Sequence, residues 1–275
     1  MPINRMNGVV ITLFAIGFYL AAASRAALAV LRSRSDTLSA KRQMIGLGLV
    51  AIALHASVLY TTTLTEAGLN LGISNAASLM AWMIALFLLL ACLVQPLENL
   101  AIVLLPTAAI ALAFERLFPT QHVLPQGAPF GLQLHILLSI LAFSLLSLGA
   151  LQALAFAVAD HQMRARRPLR VMRVLPPLET MEGLLFQLIR AGFHLLGLSL
   201  VSGLMFVHDL FAQHLVHKTV LSILAWVVFG ILLWGRHRFG WRGRTAIRWT
   251  LGGMASLALA YFGTKMVLEV ILHRV

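Results

Sequence analysis

The chain has 275 residues, 60% hydrophobic and 11% charged, with 21 Lys and Arg against 9 Asp and Glu, a formal net charge of +12. At a mean hydropathy of +0.90, its apolar surface exceeds what a soluble core of this size can hide, which excludes a soluble globular protein and defines a polytopic membrane protein. The positive charge calls for no nucleic acid, because it is concentrated in short connections between apolar runs.

Eight apolar stretches approach or exceed the roughly 20 residues a helix needs to cross the hydrocarbon core. They run from Val9 to Leu31, Met44 to Thr63, Ser74 to Gln95, Leu97 to Leu117, Leu132 to Ala159, Leu184 to Val207, Thr219 to Trp234 and Thr245 to Leu272. The expected fold is all-α, a polytopic membrane helix bundle of about eight transmembrane helices forming a single domain over residues 1–275. The first run has only Arg5 before it and arginines directly after it, so it reads as a retained helix rather than a cleavable signal peptide.

The connection after the first run holds Arg32, Arg34, Lys41 and Arg42. The one after the fifth holds Arg164, Arg166, Arg167, Arg170 and Arg173, and the one after the seventh holds Arg236, Arg238, Arg242, Arg244 and Arg248. By the positive-inside rule these three face the cytoplasm and meet the anionic surface of the bilayer, so both termini are expected outside, in the periplasm. The stretch "LPPLETMEGLLFQLIR" (175–190), with proline first and Glu179 and Glu182 next, predicts a helix entering at the cytoplasmic interface and running into the sixth span. The segment Phe118 to Gly131, with three prolines, is expected to be the longest irregular outer connection.

Cys92 is the single cysteine, so the chain has no internal disulfide and no C-x-x-C-H haem attachment site. It also lacks H-E-x-x-H, a glycine-rich phosphate loop and a nucleophile with a base at telling spacing, so no enzyme activity is expected.

Polar groups inside a bilayer are costly without partners, and their positions indicate function. His55 and His194 lie deep in the second and sixth spans. His135 opens the fifth, His208 lies near the outer end of the sixth, His217 opens the seventh and His273 closes the eighth. At about 1.5 Å rise per residue, His135, His208, His217 and His273 share the outer interfacial layer. Lys265, Glu269 and His273 recur every four residues and so share one helix face. That stripe is either an internal ion pair with a snorkelling lysine or a cation set beside a ligand carboxylate.

The second half resembles the integral-membrane cytochrome c assembly proteins, the haem-handling group that includes the CcsA and CcmC types. "LHILLSILAFSLLSLGAL" from Leu134 resembles the family helix that begins with an outward histidine. "GFHLLGLSLVSG" from Gly192 resembles the helix leading to the haem-binding loop. "GWRGRTAIRWTLGG" from Gly240, followed by "YFG" at Tyr261, resembles the start and middle of the last helix. The layout, including "LPPLETME" and a seventh helix opening with "HKT", is similar to the YpjD-like subgroup of CcsA-like bacterial inner-membrane proteins.

The resemblance implies eight helices in a bacterial inner membrane and a role in cytochrome c assembly or haem delivery, with haem b as cofactor. His135 and His273 take the two haem-iron ligand positions, His217 is an accessory ligand, and Lys218 or Lys265 is a partner for a haem propionate. His55 and His194 are candidates for a second site. The implied partners are haem, the lipid bilayer and other membrane assembly or transport proteins. The chain departs from the family at residues 216–226, where family members read D-P-K-E-T-W-A-L-I-T-W after a tryptophan-rich segment. Here Lys218 and Trp226 align, Val216 replaces the aspartate, His217 replaces the proline, and "VHDLFAQHL" before them has no tryptophan. The departure leaves a second role open, that of a partner subunit built on a haem fold without its cofactor.

Overall fold

A computed structural model describes residues 2–31, 37–125, 128–165, 176–206 and 216–263. Among them are eight α-helices: α1 (Pro2–Leu31), α2 (Thr37–Thr63), α3 (Ile73–Val94), α4 (Glu98–Leu117), α5 (Phe130–Arg164), α6 (Leu178–Phe206), α7 (Val216–Phe239) and α8 (Arg244–Ala258). A π-helical turn over Leu259–Gly263 continues α8 to the end of the described residues. Helices α1 to α7 are each long and apolar enough to cross a membrane, and the chain is an all-α, multi-pass membrane protein. Helices satisfy every backbone group internally, which hydrocarbon demands.

The helices divide into two compact units, α1 to α4 and α5 to α8. In the first, Ala15 of α1, Val58 of α2 and Leu112 of α4 form a buried apolar cluster. Gly48 lets α2 approach α3 so closely that a Cβ there would lie 2.6 Å from Leu89. Trp82 spans the same pair of helices, its indole N–H donating to the Ile52 carbonyl at 2.9 Å.

One end of this unit carries a small antiparallel sheet of β1 (Leu64–Thr65), β2 (Gly68–Asn70) and β3 (Val123–Pro125), in that order. Residues 118–131 are therefore not irregular throughout: Val123 to Pro125 pair with β2. Outside the helices their amides and carbonyls need partners, and Pro125 lies on an edge strand, where a missing N–H is tolerated. Asn70 organises the turn, its Oδ1 accepting from the amides of Gly72 and His122 while its Nδ2 donates to the Thr120 carbonyl.

In the second unit α5 and α6 pack antiparallel through small residues, the usual device in membranes. Gly192 sits against Leu146, Gly203 against His135 and Gly131 against Phe206, with no room for a Cβ at any of the three. As expected, the segment from Leu178, with Glu179 in its first turn, runs on as one helix to Phe206. Helix α7 buries only Ala225, Phe229, Leu232 and Gly235, a narrow stripe that suits a helix with much of its surface against lipid. Trp226 stacks on Phe193 of α6 at 5.1 Å and 11°, and Phe229 lies over Gly253 of α8. The unit thus has two ends. One gathers the start of α5, the end of α6 and the start of α7; the other gathers the end of α5, the start of α6, the end of α7 and the start of α8.

Candidate functional site

At the first of those ends, His135 lies on the opening turns of α5, half-buried against the last turns of α6. Its Nδ1 is 2.9 Å from the Ser199 carbonyl and 3.2 Å from the Ser202 hydroxyl. A carbonyl oxygen only accepts, so in the neutral ring Nδ1 carries the proton and Nε2 carries the lone pair. Gly203 underlies the ring, and a Cβ there would fall 2.9 Å from Cε1. Ser199, Ser202 and Gly203 are spaced i, i+3, i+4 and so share one face of α6. A second layer fixes the first: Ser139 donates to the His135 carbonyl at 2.7 Å, and its hydroxyl lies 2.7 Å from that of Ser199. The Ser139 proton is committed to the carbonyl, so Ser199 donates to Ser139. Among the described residues only Nδ1 of His135 is engaged. The ring is oriented, its tautomer is set, and the Nε2 lone pair remains available to accept a hydrogen bond or to ligate a metal.

The other predicted positions fare differently. His217 is exposed in the first turn of α7, at the same end of the unit as His135, and Lys218 follows it with a half-buried side chain. His194 lies on an exposed face of α6, edge-on to Phe193 at 5.6 Å. His273 and Lys265 lie outside the described residues, as do Glu269, His208 and His214. Trp226, the aromatic residue retained in the altered family motif, packs α7 onto α6, with Gly197 beneath its indole nitrogen.

His55 belongs to the first unit and is fully buried. Tyr19 Oη lies 3.1 Å from its Nδ1, and Ser78 Oγ lies 2.9 Å from its Nε2. Both ring nitrogens are therefore spent on protein hydroxyls, which ties α1 to α2 and α2 to α3. Close by in the chain, Thr62 donates at 2.6 Å to Glu115, a carboxylate with 4% of its surface exposed.

Sequence reasoning missed the serines and the glycine around His135, although all three lie within "GFHLLGLSLVSG". The available signal was their i, i+3, i+4 spacing in an otherwise apolar helix. Tyr19 and Ser78 lie on two helices other than that of His55, and spacing within one helix does not report which residues of another it meets.

A multi-pass helical membrane protein with an oriented histidine at a helix end is the class that fold and site define. The chain belongs to the cytochrome c assembly protein family, whose model matches residues 45–272. It is similar to the inner membrane protein YpjD of Escherichia coli strain K12, 34% identical over 237 residues that cover 84% of this chain and 88% of that protein. It is also similar to a 28.8 kDa protein encoded in the nifR3-like 5′ region of Azospirillum brasilense, 33% identical over 192 residues covering 68% and 71% of the two chains. No solved structure matches it.

Proposed function

We propose that the protein is a haem-binding, haem-handling component of the bacterial inner membrane that assists cytochrome c assembly or haem delivery without itself catalysing a reaction. The observation that carries this reading is the state of His135: Nδ1–H held by the Ser199 carbonyl, Nε2 left with its lone pair. Histidines that ligate metals characteristically donate their other ring N–H to a carbonyl or carboxylate, which sets both tautomer and orientation. The residues around His135 thus fit an axial ligand to haem iron.

In this reading His135 and His273 hold the iron, His217 is an accessory ligand exposed at the same end of the unit as His135, and Lys218 or Lys265 meets a propionate. Haem bound there supplies a redox-active iron and a cargo for transfer. The chain's own residues hold and orient: Ser199 and Ser202 fix the imidazole, and Gly203 leaves room for it against α6. The positive-inside pattern supports an orientation with this end of the second unit outside and the arginine-bearing end in the cytoplasm.

A second reading is favoured by one observation, the replacement of the family's aspartate and proline by Val216 and His217 with no tryptophan before them. In it the protein is a partner subunit of a membrane assembly or transport complex and has lost haem. The ultraviolet-visible spectrum of protein purified from haem-replete cells separates the two. The haem reading expects near-stoichiometric six-coordinate haem in wild type and its loss in His135→Ala and in His273→Ala. Absence of haem in wild type after reconstitution would leave only the partner reading.

A further inference from the structure

The opposite end of the second unit holds a constellation that the haem reading does not use. Glu182, at the start of α6, accepts from Arg236 Nη1 at 2.5 Å and from Arg242 Nε at 3.1 Å. Asp160, near the end of α5, accepts from Arg164 Nε at 3.0 Å and lies 3.7 Å from Arg244 Nε. Arg236 is committed to the fold, since it also donates to the Trp241 carbonyl at 3.2 Å and sits 4.6 Å over the Phe186 ring.

The other three arginines are held differently. Arg164, Arg242 and Arg244 each face their carboxylate through Nε, and their side chains are 62%, 57% and 61% exposed. Among the described residues their terminal Nη groups bond to no protein atom. All three line an open cavity of about 610 Å³ together with Glu179, Thr245 and the apolar Phe156 and Leu178. Each of the two carboxylates serves two guanidiniums, so even after Glu179 is counted the cluster keeps a positive excess. Paired Nη donors suit the oxygens of a phosphate group, which arginine binds through parallel N–H bonds.

The location selects the source of that phosphate. The apolar run of α7 ends at Trp234 and that of α8 begins at Thr245, which puts the cavity at the boundary of the hydrocarbon layer. Trp234, Phe239, Trp241 and Trp249 form a continuous aromatic chain there, with ring centroids 5.2, 6.3 and 5.4 Å apart. Such belts sit at headgroup level, and basic pockets between transmembrane helices hold anionic headgroups.

We propose that this cavity is a binding site for the phosphate of an anionic membrane phospholipid, gripped by the Nη groups of Arg164, Arg242 and Arg244, with Phe156 and Leu178 against its apolar part. The test is the thermal midpoint of the full-length protein in neutral detergent with added phosphatidylglycerol, phosphatidylcholine or inorganic phosphate. It is run on wild type and two double variants, Arg242→Gln/Arg244→Gln and Arg242→Lys/Arg244→Lys. The lysine pair leaves a cation beside each carboxylate and removes only the forked donors, so it remains folded if the glutamine pair does not. Phosphatidylglycerol is expected to raise the wild-type midpoint by several degrees and phosphatidylcholine to leave it unchanged. The shift is expected to fall by at least half in the lysine pair and to vanish in the glutamine pair. Equal responses to the two lipids, or an undiminished phosphatidylglycerol shift in the lysine pair, would overturn the site. An equal shift from inorganic phosphate at the same concentration would overturn the lipid assignment and make this a site for a soluble anion.

Discussion

His55 and His135 are both set in transmembrane helices among apolar neighbours, and the fold treats them in opposite ways. His55 is fully buried with a hydroxyl at each ring nitrogen, Tyr19 on one side and Ser78 on the other. His135 is half-buried, with one nitrogen fixed by α6 and the other unspent. The first ring is a strut between three helices; the second is oriented with one nitrogen unspent, as the proposed ligand role requires. Residue type does not separate these roles. What separates them is the number of ring nitrogens the protein has already satisfied.

The comparison can be broken first at the ligand itself. His135→Ala should abolish the six-coordinate haem spectrum while leaving the protein folded by thermal shift, whereas His55→Ala should retain the spectrum. Next comes the floor beneath the ring. A Cβ at Gly203 would lie 2.9 Å from His135 Cε1, so Gly203→Ala should tilt the imidazole and weaken haem binding about 10- to 100-fold, as loss of an orienting partner typically does. Haem titration of the purified protein checks it.

In the first unit, removal of the His55 ring leaves the hydroxyls of Tyr19 and Ser78 buried without it. His55→Ala should therefore destabilise the protein by about 1–3 kcal/mol per stranded group, read as a lower thermal midpoint at unchanged haem content. The smallest effect sharpens the contrast. Ser202→Ala removes the 3.2 Å contact to Nδ1 but leaves the Ser199 carbonyl in place, so haem affinity should fall by only on the order of 1 kcal/mol, about fivefold. An effect as large as that of Gly203→Ala would mean that the hydroxyl, not the carbonyl, sets the tautomer.

Much of this was legible in the chain. Apolar run length located each helix, because the bilayer thickness sets that length, but α1 and α2 begin seven residues before their apolar runs, and the end of the eighth run lies outside the described residues. Pro176, Pro177 and Glu179 marked where α6 begins. Facing was not legible. A transmembrane helix is apolar towards both lipid and protein, so the neighbours of His194, namely Phe193, Leu195 and Leu196, gave no period from which to read that it sits on an exposed face. Nor was the pairing of Val123 to Pro125 with β2, because a three-residue strand has too few side chains to show alternation. His135 was expected at a helix start from its position in the family-like stretch, but the carbonyl that fixes its tautomer belongs to the backbone, and backbone groups leave no mark in a sequence.

The most direct test of the central claim is ligand replacement at His135. Haem-loaded His135→Gly protein, made with and without added imidazole, should lack the six-coordinate spectrum and regain it when imidazole fills the vacated position. A His135→Gly variant that binds haem with the wild-type spectrum and ignores imidazole would show that His135 is not an iron ligand, and the contrast with His55 would lose its functional meaning.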